Sequence, residues 1–241
     1  MRTLLSSDSY TLLLGPHGFD LRMRGQSLLG PFQILGEGAD GRPLLKTSEA
    51  ALYTRIEAAD GSLELRYPAA DGSGLLWIVH AHMSERGLVL WQSVRNQSGQ
   101  PIVLSAFRLV AHPQADSFVA GIGTRAGWQV FRTGYSSFTP SFAVDSRFRP
   151  SQPLFPTAAA FNQHSESEYF GHPERLSSPW MMTLSEQGPP PSHLLLGFIS
   201  ARRGLGEIAL CRDVEVRLEA RLGIDGRRIA VGETFVGDKL L

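Results

Sequence analysis

Cysteine is nearly missing from this 241-residue chain, where Cys211 stands alone. One thiol closes no intramolecular disulfide and builds no cysteine-based zinc site, so the expected compartment is the cytoplasm. An excess of either charge is missing as well, since 23 Lys and Arg balance 23 Asp and Glu. Without a basic face there is no electrostatic footprint for nucleic acid or an anionic membrane, and neither is an expected partner. Long apolar runs are also lacking. Residues 194–200 are the best candidate, far short of the roughly 20 apolar residues of a membrane helix. The polar run Ser6-Ser7-Asp8-Ser9 cuts off any signal-peptide core behind Met1.

Signatures of chemistry are equally sparse. The glycine cluster at 121–127 lacks the Lys-Ser/Thr of a phosphate-binding loop, and Gly-x-Ser-x-Gly does not occur. His80 and His82 share one strand face, with His164 or His172 available as a third metal ligand, but no acidic residue is patterned with them. They read as polar side chains on a solvated sheet face. Glu166 and Glu168 are strand neighbours, whereas glycosidase carboxylates must face each other across a sugar about 5–10 Å apart. They read as a solvated loop. Asn96-Gln97-Ser98 matches a glycosylation acceptor but reads as a turn. No metal, cofactor or catalytic residue is expected.

What is present is a core and its punctuation. Hydrophobic residues make up 42% of the chain, and 25 Gly and 15 Pro fall between short apolar runs. That texture is all-β, because helices need longer uninterrupted stretches. Asp-Gly occurs at 40–41, 60–61, 71–72 and 225–226, each a natural tight hairpin turn. The clearest hairpin joins residues 75–83 and 88–94 through 84–87, and 102–110 extends it to a meander of three. Val214, Val216 and Leu218 alternate with Glu215, Arg217 and Glu219, which predicts a strand wet on one side. Further strands are expected at 10–14, 19–23, 52–58, 63–67, 128–132, 180–184, 194–199, 207–211 and 228–230. So many strands in one open sheet would twist too far, so two large antiparallel sheets packed face to face are predicted. Helical turns are expected only at 48–52 and 156–161. Residues 139–179, rich in proline and aromatics, read as one long irregular segment, functional or interfacial.

One segment stands apart. Residues 127–140 gather Trp128, Phe131, Tyr135 and Phe138 among small and hydroxyl residues. Aromatic faces stack on sugar C–H faces while hydroxyls take ring oxygens, so this edge is a candidate carbohydrate surface; packing of strand-end aromatics into the core is the other reading.

Three stretches together resemble the N-terminal domain of glycoside hydrolase family 36, the α-galactosidases and their relatives, over essentially the whole chain. Residues 88–110 resemble the family's strand, Asn-x-Ser/Thr turn and strand ending in Arg-Leu. Phe131-Arg-Thr-Gly-Tyr-Ser-Ser-Phe-Thr-Pro140 is similar to its Asn-Gly-Tyr/Trp-Gln-Ser-Trp-Ser segment, with Thr133, Ser136 and Phe138 where Asn, Gln and Trp are usual. Residues 194–200 with 232–241 resemble its closing Leu-Gly-Phe-Leu-Ser and Pro-Gly-Glu … Asp pattern.

The resemblance implies a single β-supersandwich domain over 1–241, the architecture shared by galactose mutarotase. It also implies a following (β/α)8 barrel that carries the catalytic Asp pair, with Leu241 standing where the barrel would begin. The implied role of this domain is non-catalytic: to pack on that barrel of the same polypeptide, shape a pocket for an α-galactoside-type oligosaccharide and mediate homo-oligomerisation through 128–148. By position, sugar contact falls on Tyr135, Ser137 and Phe138, beside Trp128. Two other readings stay open. One is a free-standing carbohydrate-binding sandwich with Tyr135 and Phe138 as its platform; the other is a mutarotase-like sugar enzyme working through His and Glu, for which no paired His/Glu pattern is visible.

Overall fold

A computed structural model of the protein describes residues 1–47, 53–68, 74–112, 128–133, 141–145, 175–186, 192–212 and 216–241. They form eighteen strands and, among the described residues, no helix. The first ten are β1 (Arg2–Ser6), β2 (Tyr10–Gly15), β3 (Gly18–Met23), β4 (Gln26–Gly38), β5 (Pro43–Lys46), β6 (Thr54–Glu57), β7 (Leu63–Pro68), β8 (Leu75–Ser84), β9 (Gly87–Asn96) and β10 (Ile102–Ala111). The remainder are β11 (Trp128–Arg132), β12 (Phe142–Asp145), β13 (Arg175–Pro179), β14 (Met181–Glu186), β15 (Ser192–Gly197), β16 (Leu205–Arg212), β17 (Val216–Ile229) and β18 (Thr234–Val236).

A nine-stranded sheet runs β1-β2-β3-β4-β10-β17-β16-β13, with β5 also on β4. Facing it are a five-stranded sheet, β18-β9-β8-β7-β6, and a four-stranded sheet, β12-β11-β14-β15. Residues 239–241 join these two smaller sheets. The Leu240 N–H donates to the Leu90 carbonyl (2.9 Å) and the Leu90 N–H to Leu240 (2.8 Å), while Gly197 and Leu241 exchange the same pair of bonds on the other side (2.9 and 2.8 Å). Ile199 N–H adds a bond to the Lys239 carbonyl (2.8 Å). The result is two layers, as the strand count predicted.

Between the layers lies an apolar core. Along β8 every second residue is buried, Leu75, Trp77, Val79 and Ala81, and β9 answers with Leu88, Leu90 and Val94. Period-two burial of this kind removes one face of each hairpin strand from water. Trp77 meets Phe107 of β10 edge-on (5.8 Å between centroids, 76°) and lies against Gly36 of β4, where a Cβ would overlap the indole ring. Gln92 spans the layers: its side-chain amide donates to the carbonyls of Leu35 (3.1 Å) and Arg108 (3.0 Å). Buried Asp238 closes the C-terminal segment, accepting from the Ser200 hydroxyl (2.7 Å) and from the backbone N–H groups of Arg202 (3.1 Å) and Arg203 (2.8 Å).

Three expectations need correction, for 75–110, for Asp225-Gly226 and for 139–179. The meander of three does not form: β8 and β9 make the expected hairpin, but β10 crosses to the nine-stranded sheet, where it pairs with β4 and β17. Asp225-Gly226 is no hairpin. Both residues have positive φ (48° and 65°) inside β17, where the pairing with β10 shifts register, so the pair makes a bulge in one long strand. Residues 26–46 fold as β4 and β5 although Gly30, Pro31 and Gly36 interrupt their pattern, because Gly36 is required beneath Trp77. The segment 139–179 is not wholly irregular, since β12 and β13 lie in it. Finally, the chain passes from β13 to β14 without a long loop, through Trp180 alone, held at φ 67° by its N–H on the Gly206 carbonyl (3.1 Å). The helical turns expected at 48–52 and 156–161 lie outside the described residues.

Candidate functional site

The outward face of the nine-stranded sheet is polar along its middle. In β17 the side chains of Leu218, Ala220 and Leu222 are buried in the core, while Arg217, Glu219 and Arg221 alternate to the other face and are partly covered. Pairing then brings charges from three more strands, β4, β10 and β16, and a hydroxyl from β13 to them. Arg108 of β10 lies directly opposite Arg221, and Arg221 directly opposite Glu207 of β16. Two cations opposite one another repel.

Glu37 resolves that repulsion. Its carboxylate, buried at 5% exposure, accepts from Arg108 Nε on Oε1 and lies 3.6 Å from Arg221 Nε through Oε2. One carboxylate thus bridges two guanidinium groups through their Nε atoms. Arg108 Nη1 stands 3.9 Å from Glu219 Oε2, and the Ser177 hydroxyl of β13 donates to Glu207 Oε1 (2.7 Å). The two arginine side chains remain about one-third exposed, at 32% and 37%. The face therefore offers fixed donors and acceptors in alternation, held from below by the sheet. Gln92 contributes to this rigidity through its bond to the Arg108 carbonyl.

At the end of β10, His112 Nδ1 meets the Pro31 carbonyl at 3.1 Å. A carbonyl only accepts, so Nδ1 carries the proton and the lone pair of the neutral ring sits on Nε2. Burial lowers the pKa of His112; the Pro31 hydrogen bond and the charge of Glu219 oppose that shift without cancelling it. The ring is neutral near pH 7.

A second polar group lies on the outer face of the five-stranded sheet. His80 of β8 is flanked by Glu64 of β7 and Trp91 of β9, its two direct cross-strand neighbours. Its Nδ1 is 3.6 Å from Glu64 Oε1 and its Nε2 2.8 Å from Ser93 Oγ. At 13% side-chain exposure His80 is not the solvated residue expected, because Trp91 covers its ring. His82 shares the strand but has no part in this cluster, and no group of three or more metal-ligating side chains occurs among the described residues.

Trp128 opens β11, while Tyr135, Ser137 and Phe138 lie outside the described residues, as do Glu166, Glu168, His164 and His172. Asn96 is a buried turn residue: Oδ1 accepts from the Ser98 N–H (2.9 Å) and hydroxyl (2.6 Å), and Nδ2 donates to Gln100 and Ile229 carbonyls. Glu37, Arg108, Glu207 and Ser177 went unnoticed in the sequence. The alternation in β17 was the signal within reach, but the Arg108–Glu37 pair joins residues 71 positions apart.

No family model matches the chain, and no curated protein sequence does. Solved structures share its fold. A galactose mutarotase related enzyme from Lactobacillus acidophilus superposes with a TM-score of 0.56 at 8% identity, covering 99% of this chain and 95% of its own. A galactose mutarotase-like protein from Lactobacillus casei gives 0.51 at 10% identity, covering 99% and 98%. Another galactose mutarotase-like protein, from Clostridium acetobutylicum, gives 0.54 at 10% identity over 98% and 92%. The fold is the galactose mutarotase-like β-sandwich; at these identities the likeness extends to the fold alone.

Proposed function

We propose that this protein is directed at a carbohydrate, in the manner of a mutarotase-like sugar enzyme, with the sugar on the polar face of the nine-stranded sheet. The observation that carries the reading is the Arg108–Glu37–Arg221 bridge, set beside Glu219 and Glu207 on one partly covered face. Sugar hydroxyls are donors and acceptors at once, and alternating guanidinium and carboxylate groups answer both needs. Mutarotation moves the anomeric O1 proton away and a proton onto ring oxygen O5 as the C1–O5 bond breaks. The open-chain aldehyde then recloses on its other face. In this reading the Glu219 carboxylate takes the O1 proton, a solvent water gives a proton to O5 and recovers it from Glu219, and the Arg108 and Arg221 Nη groups, which stay charged, stabilise the negative charge developing on the ring oxygen.

Polarimetry on fresh α-D-glucose and α-D-galactose tests it. The full chain should speed the approach to anomeric equilibrium, and Glu219→Gln should slow it again with little change in fold. No acceleration, together with no saturation transfer from either sugar, would remove the reading.

A second reading is favoured by the C-terminal segment. The two stretches resembling the closing pattern of glycoside hydrolase family 36, 194–200 and 232–241, are joined in space by the Gly197–Leu241 bonds and by Ser200 on Asp238. In that reading the chain is an α-galactosidase-like N-terminal domain. Trp128, Tyr135, Ser137 and Phe138 edge a pocket completed by a barrel, and copies self-associate. It gains if the chain leaves mutarotation unchanged while an α-galactoside oligosaccharide shifts its tryptophan fluorescence.

A further inference from the structure

Where the layers splay apart, away from the polar face, lies an open-mouthed chamber of about 230 Å³. Its walls come from β3 and β4 on one side (Leu21, Leu29, Phe32) and from β9 and β15 on the other (Leu88, Leu90, Leu194). These side chains are buried in the protein, none above 9% exposed, yet they border unfilled space. A wall of this kind offers no hydrogen bonds to water, and an apolar cavity of about 150 Å³ already stays dry and accepts a benzene ring. This chamber is larger.

Its rim is different. Arg86, exposed on the β8–β9 turn, and His193, exposed at the start of β15, also border the chamber. Among the described residues Arg86 has no ion-pair or hydrogen-bonding side-chain partner, unlike Arg22, Arg55, Arg66 and Arg108, each of which meets a carboxylate. His193 Nδ1 lies 3.0 Å from the Ser185 hydroxyl, which leaves Nε2 as its second polar position. An apolar chamber with an uncommitted cation at its mouth is complementary to one ligand chemistry: a hydrocarbon tail ending in a carboxylate.

We propose that the chamber between the layers is a binding site for a medium-chain carboxylate. The tail lies among Leu21, Leu29, Phe32, Leu88 and Leu90, and the carboxylate lies on Arg86. Tail burial supplies the affinity, and Arg86 supplies the preference for an anion. The site is independent of the sugar face and stands or falls without it.

Titration of the full chain with octanoate and, separately, with 1-octanol tests this, followed by calorimetry and by the methyl NMR signal of Met23, which borders the chamber. One molecule of octanoate per chain is expected, with the Met23 methyl shifting. Arg86→Gln, a surface change that leaves the fold intact, should weaken octanoate roughly two- to fivefold, the range of an exposed ion pair, and leave octanol unchanged. Leu29→Trp should fill the chamber and abolish both. The proposal is overturned if neither ligand binds up to its solubility limit, or if binding leaves Met23 unmoved. Equal effects of Arg86→Gln on octanoate and octanol would overturn the carboxylate assignment.

Discussion

The imidazole of His80 lies flat on the indole of Trp91, with ring centroids 4.9 Å apart and planes within 2°. The two residues are directly opposed on β8 and β9, so the sheet itself sets the stack. Lys239 Nζ also stands 4.5 Å from the Trp91 ring centroid. The charged groups facing His80 are therefore Glu64, which favours its protonation, and Arg66 and Lys239, which oppose it; burial, the largest cause, lowers its pKa.

That depression fixes the sign of a pH effect. A histidine whose folded pKa lies below its unfolded value, ordinarily about 6.5, binds its proton more readily in the unfolded chain. Its contribution is complete above that value and lost as pH falls through it. Urea denaturation should show lower stability at pH 5 than at pH 7.5, and His80→Phe, which keeps the stack, should make the difference smaller. Some difference should persist, because burial lowers His112 in the same direction. An unchanged pH difference in His80→Phe would mean that His80 is not the responsible group.

Gly36→Ala should be costly for its size. The added Cβ would overlap the fully buried Trp77 ring, so the layers must separate locally or the indole must leave its rotamer. Overpacking of this kind costs about 1–3 kcal/mol. Adding Trp77→Phe should recover part of that loss relative to the two single changes, because the smaller ring vacates the contested space. Strictly additive losses in a double-mutant cycle would contradict the contact.

Asp238→Ala should loosen the seam between the smaller sheets. It removes the acceptor of the Ser200 hydroxyl and of two backbone N–H groups, at a cost on the order of 2–3 kcal/mol for charge-assisted bonds. Hydrogen exchange at Gly197, Ile199 and Leu241 should accelerate more than at Trp77 or Phe107. Uniform acceleration would point to global destabilisation instead.

Glu37→Gln leaves Arg108 and Arg221 opposed without the carboxylate they share. A loss of about 1–3 kcal/mol is expected. Part of it is repulsion between partly exposed cations, so the deficit should shrink in 1 M salt. A deficit independent of salt would place the whole cost in lost hydrogen bonds.

The strands with clean alternation were legible in the sequence because side-chain period is a local property. Leu75–Ser84, Gly87–Asn96 and Ile102–Ala111 follow as strands from their own residues, and so does the β8–β9 hairpin, but not the crossing of β10 to the other layer, which its pairing with β4 and β17 decides. The Asp-Gly turns at 40–41 and 60–61 are equally local, with φ near 75° at both glycines. Asp225-Gly226 misled because the same dipeptide suits a bulge, and only pairing with β10 decides between bulge and turn. β4 was hidden for a similar reason: its glycines look like interruptions until Trp77 is seen above Gly36.

The polar face was not legible as a site. Arg217 and Glu219 could be placed on one side of their strand, but their neighbours Glu37, Arg108, Glu207 and Ser177 arrive from β4, β10, β16 and β13. Composition and alternation by themselves determined an all-β chain of two apolar-faced layers, since burying one face of each strand is the cheapest way to hide these side chains from water. Which charges meet, which tryptophan covers a histidine and where an apolar chamber stays open were decided only by strand order and register. Those depend on contacts between distant segments, and a shift of one residue in any ladder would turn each of these side chains to the opposite face.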